Sequence, residues 1–193
     1  MNTEPFISFL ESITDLSEGL RRELSINLSR EHYKPHQIIQ SEDQTENRLW
    51  FLISGMARGY IYDEQRQQHT LRFWHPGEVI FSYAGFLKQP SKEYIELLTD
   101  SELSSCNYLK IEQFMREYPE TIKLVGIINR RFLQKEYKTH QLHAMKGKHR
   151  YQLFRKEHPE VFAHVPQWII ASYLQMTREN LTRIISKEQK KSQ

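Results

Sequence analysis

One cysteine and only seven glycines stand in a chain of 193 residues, and each scarcity excludes something. Cys106 alone cannot make an intramolecular disulfide framework, nor a four-cysteine zinc or iron–sulfur site. No glycine falls into G-x-G-x-x-G or G-x-x-x-x-G-K-[ST], so the usual backbone cradles for dinucleotides and nucleoside triphosphates are missing. Long apolar runs are missing as well. Hydrophobic residues make up 38% of the chain, and no window approaches the roughly 20 apolar residues of a membrane helix. The opening Met-Asn-Thr-Glu-Pro has neither the basic nor the apolar region of a secretory signal, so the expected location is cytoplasmic. Nine histidines are present, but His140 and His143, which share a helix face, come without an H-E-x-x-H pattern or partner cysteines. No metal site and no cofactor is expected. Carboxylate pairs such as Glu11 and Asp15 lie on a predicted surface without a glycine-lined cleft, and no enzyme activity is expected.

What is present is unevenly spread. The net charge is +3, yet residues 144–193 hold ten Lys or Arg against four Asp or Glu, a balance of +6, which leaves −3 on the first 143 residues. A basic tail on a slightly acidic body is the electrostatic footprint of a nucleic-acid binder, although a solvated helix surface has the same composition.

Periodicity divides the chain. Phe6, Leu10 and Ile13, then Leu16, Leu20, Leu24 and Leu28, recur at helical spacing and predict two short helices. From His32 to Tyr108 the pattern becomes short β-branched and aromatic runs separated by Pro, Gly, Asp or Asn, which predicts about eight strands in a sandwich or barrel. Pro119 to Met145 then carries Ile122, Val125, Ile128, Phe132, Tyr137 and Leu142 on an irregular apolar stripe. A helix of that length exceeds the roughly 11 to 12 residues of an average one. A homodimer buries such a stripe most simply. Gly147 is expected to interrupt this helix and act as a hinge, a helix is predicted from Lys148 to Glu157, and Pro166 marks the start of another. Cys106 sits among buried-looking neighbours and is expected in the core.

The segment from Val165 to Lys187 carries the chemistry. Ile170, Ala171 and Leu174 form the packing face of one short helix. Thr177 is a predicted N-cap with Asn180 at the third helical position, and Leu181, Ile184 and Ile185 form the buried side of a second helix. This is a helix-turn-helix pattern. Arg178, Glu179, Thr182 and Arg183 then project away from the core. Arg can contact guanine O6 and N7 bidentately, Glu can accept from the cytosine amino group, and Thr can meet a base edge or a methyl. Lys187 is placed to meet a phosphate.

Ile170-Ala171-Ser172-Tyr173-Leu174 followed by Thr177-Arg178-Glu179-Asn180-Leu181-Thr182-Arg183 resembles the helix-turn-helix of the Crp/Fnr regulators. Leu49 to Gly55, Met56 to Asp63, Leu71 to Glu78 and the long helix resemble that family's cyclic-nucleotide-binding β-roll and dimer helix, so nearly the whole chain is covered in order. The resemblance implies an α+β fold: a double-stranded β-helix (jelly-roll) sensor domain at 1–117, a dimerisation helix at 118–146 and a helix-turn-helix DNA-binding domain at 147–193. It implies double-stranded DNA, a second copy of the chain and RNA polymerase as partners, and no membrane. Three departures stand out. Gln175 replaces the glycine usual in the turn, where a left-handed conformation costs about 1 kcal/mol. The wing strands look reduced or absent. The Arg-Ser pair that holds a cyclic phosphate has Ser91-Lys92 as its nearest match, which with Gly77 and Glu78 makes up the expected effector pocket. Lys lacks the planar fork of Arg, and the expected effector is a small ligand other than cyclic AMP, or none. The other reading is a β-roll ligand-binding or protein-interaction module that no longer binds DNA.

Overall fold

Leu49-Trp-Phe-Leu-Ile is apolar at consecutive positions, which a strand tolerates only when both of its faces are covered. In the computed structural model, which describes residues 4–190, this run lies in strand β3 (Arg48–Ser54), and its side chains divide between two cores. Trp50 and Leu52 point between two antiparallel sheets, where they meet Ile39, Ala57, Trp74, Ile80, Ile95, Leu97 and Leu103. Leu49 and Phe51 point the other way, onto Phe6, Ile7 and Leu10 of helix α1 (Pro5–Glu11), Leu20 and Leu24 of α2 (Glu18–Asn27), and Ile111 and Phe114 of α4 (Tyr108–Glu117).

The remaining strands are β1 (Ser29–Tyr33), β2 (Ile38–Gln40), β4 (Ala57–Tyr62), β5 (Gln68–Trp74), β6 (Val79–Ile80), β7 (Tyr94–Leu97) and β8 (Ser101–Asn107). They form one sheet ordered β1-β8-β3-β6 and a second ordered β2-β7-β4-β5. In the first, Ser29 to Tyr33 run antiparallel against Ser105 to Ser101, and Arg48 to Leu52 against Asn107 to Leu103. The eight predicted strands are all present, and the two-layer β-roll is the expected jelly-roll. Two glycines are demanded by geometry. Gly55 turns β3 into β4 with φ +96°, and a Cβ on Gly85 would lie 1.9 Å from the Glu46 backbone carbonyl oxygen.

Several boundaries differ from the sequence reading. Tyr108 opens α4 instead of closing β8, because the Asn107 side chain accepts from the Leu109 N–H and caps the helix there. Two short helices, α3 (Tyr83–Phe86) and α7 (Pro159–His164), were not anticipated. A proline at the first position of α7 was its available signal. Helix α5 runs from Pro119 to His143 and stops before Gly147, which begins α6 (Gly147–Glu157); the interruption therefore falls at residues 144–146. No helix among the described residues is long and apolar enough to cross a membrane.

The chain forms two compact units. One holds residues 1–59 and 73–132; the other holds residues 60–72 and 133–193, joining the outer half of the β4–β5 hairpin to the C-terminal helices. The second unit has its own aromatic core. Tyr151 and Phe154 of α6 are buried, Phe162 packs edge-on to Tyr151 at 5.7 Å, and the Phe154 and Tyr173 rings lie 4.8 Å apart. Val161, Val165, Ile169, Ile170, Leu174 and Leu181 complete it. Arg150 donates to the His143 carbonyl at 3.1 Å and so satisfies the end of α5.

Candidate nucleic-acid interface

Helices α8 (Gln167–Tyr173) and α9 (Arg178–Gln189) are short, so packing and capping must hold them. Ile170, Ala171, Leu174 and Leu181 are all 2% exposed or less. Ile184 and Ile185 of the predicted buried face are only half-buried, which leaves Leu181 as the anchor of α9. Between the helices the Met176 N–H donates to the Ala171 carbonyl at 3.0 Å and the Gln175 N–H to Ser172 at 3.0 Å. Closing this turn puts Gln175 at φ +49°, the left-handed conformation inferred from the missing glycine. The Gln175 amide lies 3.1 Å from His143 Nδ1. His143 Nε2 lies 2.8 Å from the Tyr173 carbonyl, which fixes the proton on Nε2 and leaves Nδ1 to accept from Gln175. Burial draws the His143 pKa below its ordinary value.

Thr177 caps α9 as its sequence position implied, its hydroxyl accepting from the Asn180 N–H at 3.2 Å. The helix dipole there favours a negative partner. Of the predicted contact residues, Arg178, Glu179, Thr182, Arg183 and Lys187 are exposed along α9. Asn180 is half-buried, and its side-chain oxygen accepts from Arg183 at 3.0 Å, which orients that guanidinium. Thr182 donates back to the Arg178 carbonyl at 2.9 Å, so its hydroxyl proton is engaged within the helix.

The four residues expected to line an effector pocket sit differently. Gly77 has φ +86°, and Glu78 accepts from the His75 N–H at 2.8 Å, closing the turn into β6. Ser91 is 3% exposed. Its hydroxyl donates to the Glu93 carbonyl at 2.9 Å and accepts from Gln40 at 2.8 Å and from the Glu93 N–H at 3.0 Å. Lys92 is exposed and paired with Asp43 at 3.0 Å. The sequence reading missed a buried pair on neighbouring strands. Arg58 of β4, 2% exposed, reaches Glu96 of β7 at 2.6 Å, and Glu96 also meets His36 Nδ1 at 2.9 Å. Opposite charges at single positions of two otherwise apolar runs were the available signal. Cys106 is buried in the core as expected, and burial pushes its thiol up to about 11.

Helix α5 resolves its apolar stripe into two faces. Thr121, Leu124, Val125 and Ile128 turn inward. Ile122, Leu133 and Tyr137, at 56%, 56% and 66% exposure, fall with Gly126 on the opposite side. A stripe running from Ile122 through Val125 to Leu142 therefore mixed an inner face with an outer one.

Residues 30–118 match the cyclic nucleotide-binding domain family. No curated protein matches the chain in sequence. Among solved structures the chain is similar to FixK2 from Bradyrhizobium japonicum, at 16% identity and a TM-score of 0.74, with 86% of each chain covered. It is similar to the cyclic-di-GMP-responsive global regulator CLP of Xanthomonas campestris, at 16% identity and a TM-score of 0.72, covering 91% of this chain and 93% of that one. A Crp/Fnr-family transcriptional regulator from Thermus thermophilus aligns at 18% identity and a TM-score of 0.67, covering 84% and 87%. The fold is thus the one these regulators share: a cyclic-nucleotide-binding β-roll, a long helix and small C-terminal helices.

Proposed function

We propose that the protein is a transcriptional regulator of the Crp/Fnr type, a homodimer that binds specific double-stranded DNA through α9 and is not an enzyme. The observation that carries this reading is the exposed row Arg178, Glu179, Thr182, Arg183 and Lys187 on a helix whose opposite side is held by Leu181 and whose first turn is capped by Thr177. Cationic and hydrogen-bonding groups on one face, with no carboxylate paired to Arg178 or Arg183 among the described residues, match phosphates and base edges better than they match water alone. The regulators with the same fold support the reading.

Ile122, Gly126, Leu133 and Tyr137 supply the dimer face. Gly126 has nothing within 4 Å of a would-be Cβ, leaving room for the backbone of a second helix to come close. Two-fold pairing there brings two α9 helices to half-sites about one DNA turn, roughly 34 Å, apart, and makes the operator an inverted repeat. RNA polymerase is then the downstream partner, reached once the dimer is on DNA.

The effector is a small molecule other than cyclic AMP, or there is none. Ser91 has its donor and acceptor capacity engaged by Gln40 and Glu93, and Lys92 is turned to Asp43. The neighbouring Glu93 places a carboxylate against Gly59, and a second anion near it is unfavourable. Calorimetric titration with cyclic AMP and cyclic GMP tests this part, and a micromolar dissociation constant for either nucleotide refutes it. The DNA reading is tested by a shift assay on random genomic fragments at two salt concentrations. Retarded complexes that weaken as salt rises support it; no retardation at micromolar protein refutes it and favours a β-roll module without DNA.

A further inference from the structure

No strand follows β8 among the described residues. A strand pair from elsewhere in the chain accompanies the C-terminal helices. The outer half of the β4–β5 hairpin, residues 60–72, belongs to the same compact unit as α8 and α9. Strand β5 is the last strand of its sheet, with an open edge. The Ser172 hydroxyl of α8 closes part of that edge, accepting from the Thr70 N–H at 2.8 Å and donating to the Gln68 carbonyl at 3.0 Å.

Between hairpin and helices lies a groove of about 1010 Å³, with Tyr62, Arg66 and His69 on one wall and Trp168, Gln175 and Arg178 on the other. The hairpin tip is built to present Arg66. Asp63 accepts from the backbone N–H of Gln65 at 2.9 Å and of Gln67 at 2.8 Å, and lies 2.7 Å from His69 Nε2. These bonds lower the Asp63 pKa, the one to His69 most, and commit its charge inside the loop. Arg66 itself sits at φ +61° with its N–H on the Asp63 carbonyl at 3.0 Å. Neither Arg66 nor Arg178 has a carboxylate within ion-pairing distance among the described residues, and both are exposed. Two guanidiniums that line one groove give it a positive character that an anion between them would match.

We propose that this groove grips the DNA backbone, with Arg66 at the hairpin tip and Arg178 at the start of α9 closing on a phosphate, which assigns Arg178 to the backbone and leaves Arg183 as the base-reading arginine. The proposal rests on the reading of α9 as the helix that enters DNA. Arg66 contributes charge and no base selectivity, because a phosphate contact is independent of sequence.

The test is binding of a fluorescent random-sequence 30-base-pair duplex across a salt series by wild type, Arg66→Asn, Arg66→Lys and Arg183→Ala. Asn is chosen because it tolerates a left-handed backbone, so charge is lost without strain. Arg66→Asn is expected to weaken binding about three- to tenfold and to reduce the slope of log K against log salt by about 0.9 per subunit, the value of one phosphate. Arg66→Lys keeps the slope. Arg183→Ala leaves this non-specific binding nearly unchanged. Unaltered affinity and slope in Arg66→Asn overturn the proposal while the DNA reading stands, as does tighter binding by Arg66→Asn, which would make the hairpin a restraint on α9. Saturable binding of inorganic phosphate by a groove that DNA does not compete for also overturns it. A wild type that binds no duplex removes the DNA reading and the proposal together.

Discussion

Gln175 is one of the residues with a Cβ that the fold holds at positive φ, and replacing it gives a measurable consequence. Its φ of +49° costs a residue with a Cβ about 1 to 2 kcal/mol. The side chain returns part of this through the 3.1 Å contact with His143, an exposed hydrogen bond worth about 0.5 to 1 kcal/mol. Comparing Gln175→Ala with Gln175→Gly removes the hydrogen bond from both and the strain from only one. Glycine also gains about 0.4 to 1 kcal/mol of freedom in the unfolded chain, so its net advantage over alanine is about 0.5 to 1 kcal/mol. Hydrogen exchange at the Met176 and Leu181 amides reads the opening of this turn directly. Those amides are bonded to the Ala171 and Thr177 carbonyls. Exchange in Gln175→Gly should be slower than in Gln175→Ala by roughly two- to fivefold, the ratio such an energy gives. Equal protection, or faster exchange in the glycine variant, refutes the claim that the turn is strained.

Other substitutions separate the parts of the account. Arg183→Ala should weaken specific DNA binding by about 1 to 3 kcal/mol with little effect on random duplex, and an equal loss on both would deny it a base-reading role. Arg58→Leu leaves Glu96 buried without its guanidinium and should cost about 3 to 5 kcal/mol in urea unfolding, much of it recovered by Arg58→Leu with Glu96→Leu. Tyr137→Arg together with Leu133→Arg should give a monomer by light scattering that keeps its fold by circular dichroism, because both side chains are exposed in the single chain. For His143 the folded pKa lies below the ordinary value of about 6.5, so as pH falls through that value the unfolded chain takes up a proton first and stability declines until the folded pKa is reached. His143→Gln should flatten the difference in stability between pH 7.5 and 5.5, and an unchanged difference counts against this origin.

The strands of the roll were legible because their alternation and punctuation are local: β3 to β5 and β7 follow from β-branched and aromatic runs between Gly, Pro, Asp and Asn. The helix-turn-helix was equally legible, since Thr177, Leu181 and the spacing of Ile170 and Leu174 act within one or two turns. The faces of α5 were not. A 25-residue helix that buries one side and exposes another apolar side shows a single blurred stripe in sequence, and only the partners of each turn separate Leu124 from Ile122. For Arg58 and Glu96 each charge stood out in its own apolar run, but that the two meet depends on β4 lying beside β7, a neighbourhood that no local pattern encodes. Gln175 shows the opposite case, in which one missing glycine was enough to foresee a positive φ.

Sequence-specific DNA binding by the dimer is the central claim, and a genomic footprint of the purified protein tests it most directly. The account predicts discrete protected sites whose common sequence is an inverted repeat with half-sites about one helical turn apart. Wild type should hold these sites at salt where Arg183→Ala has lost them and its residual binding is no longer selective. Uniform protection without a common sequence, or no protection at concentrations where the protein is dimeric, would contradict it.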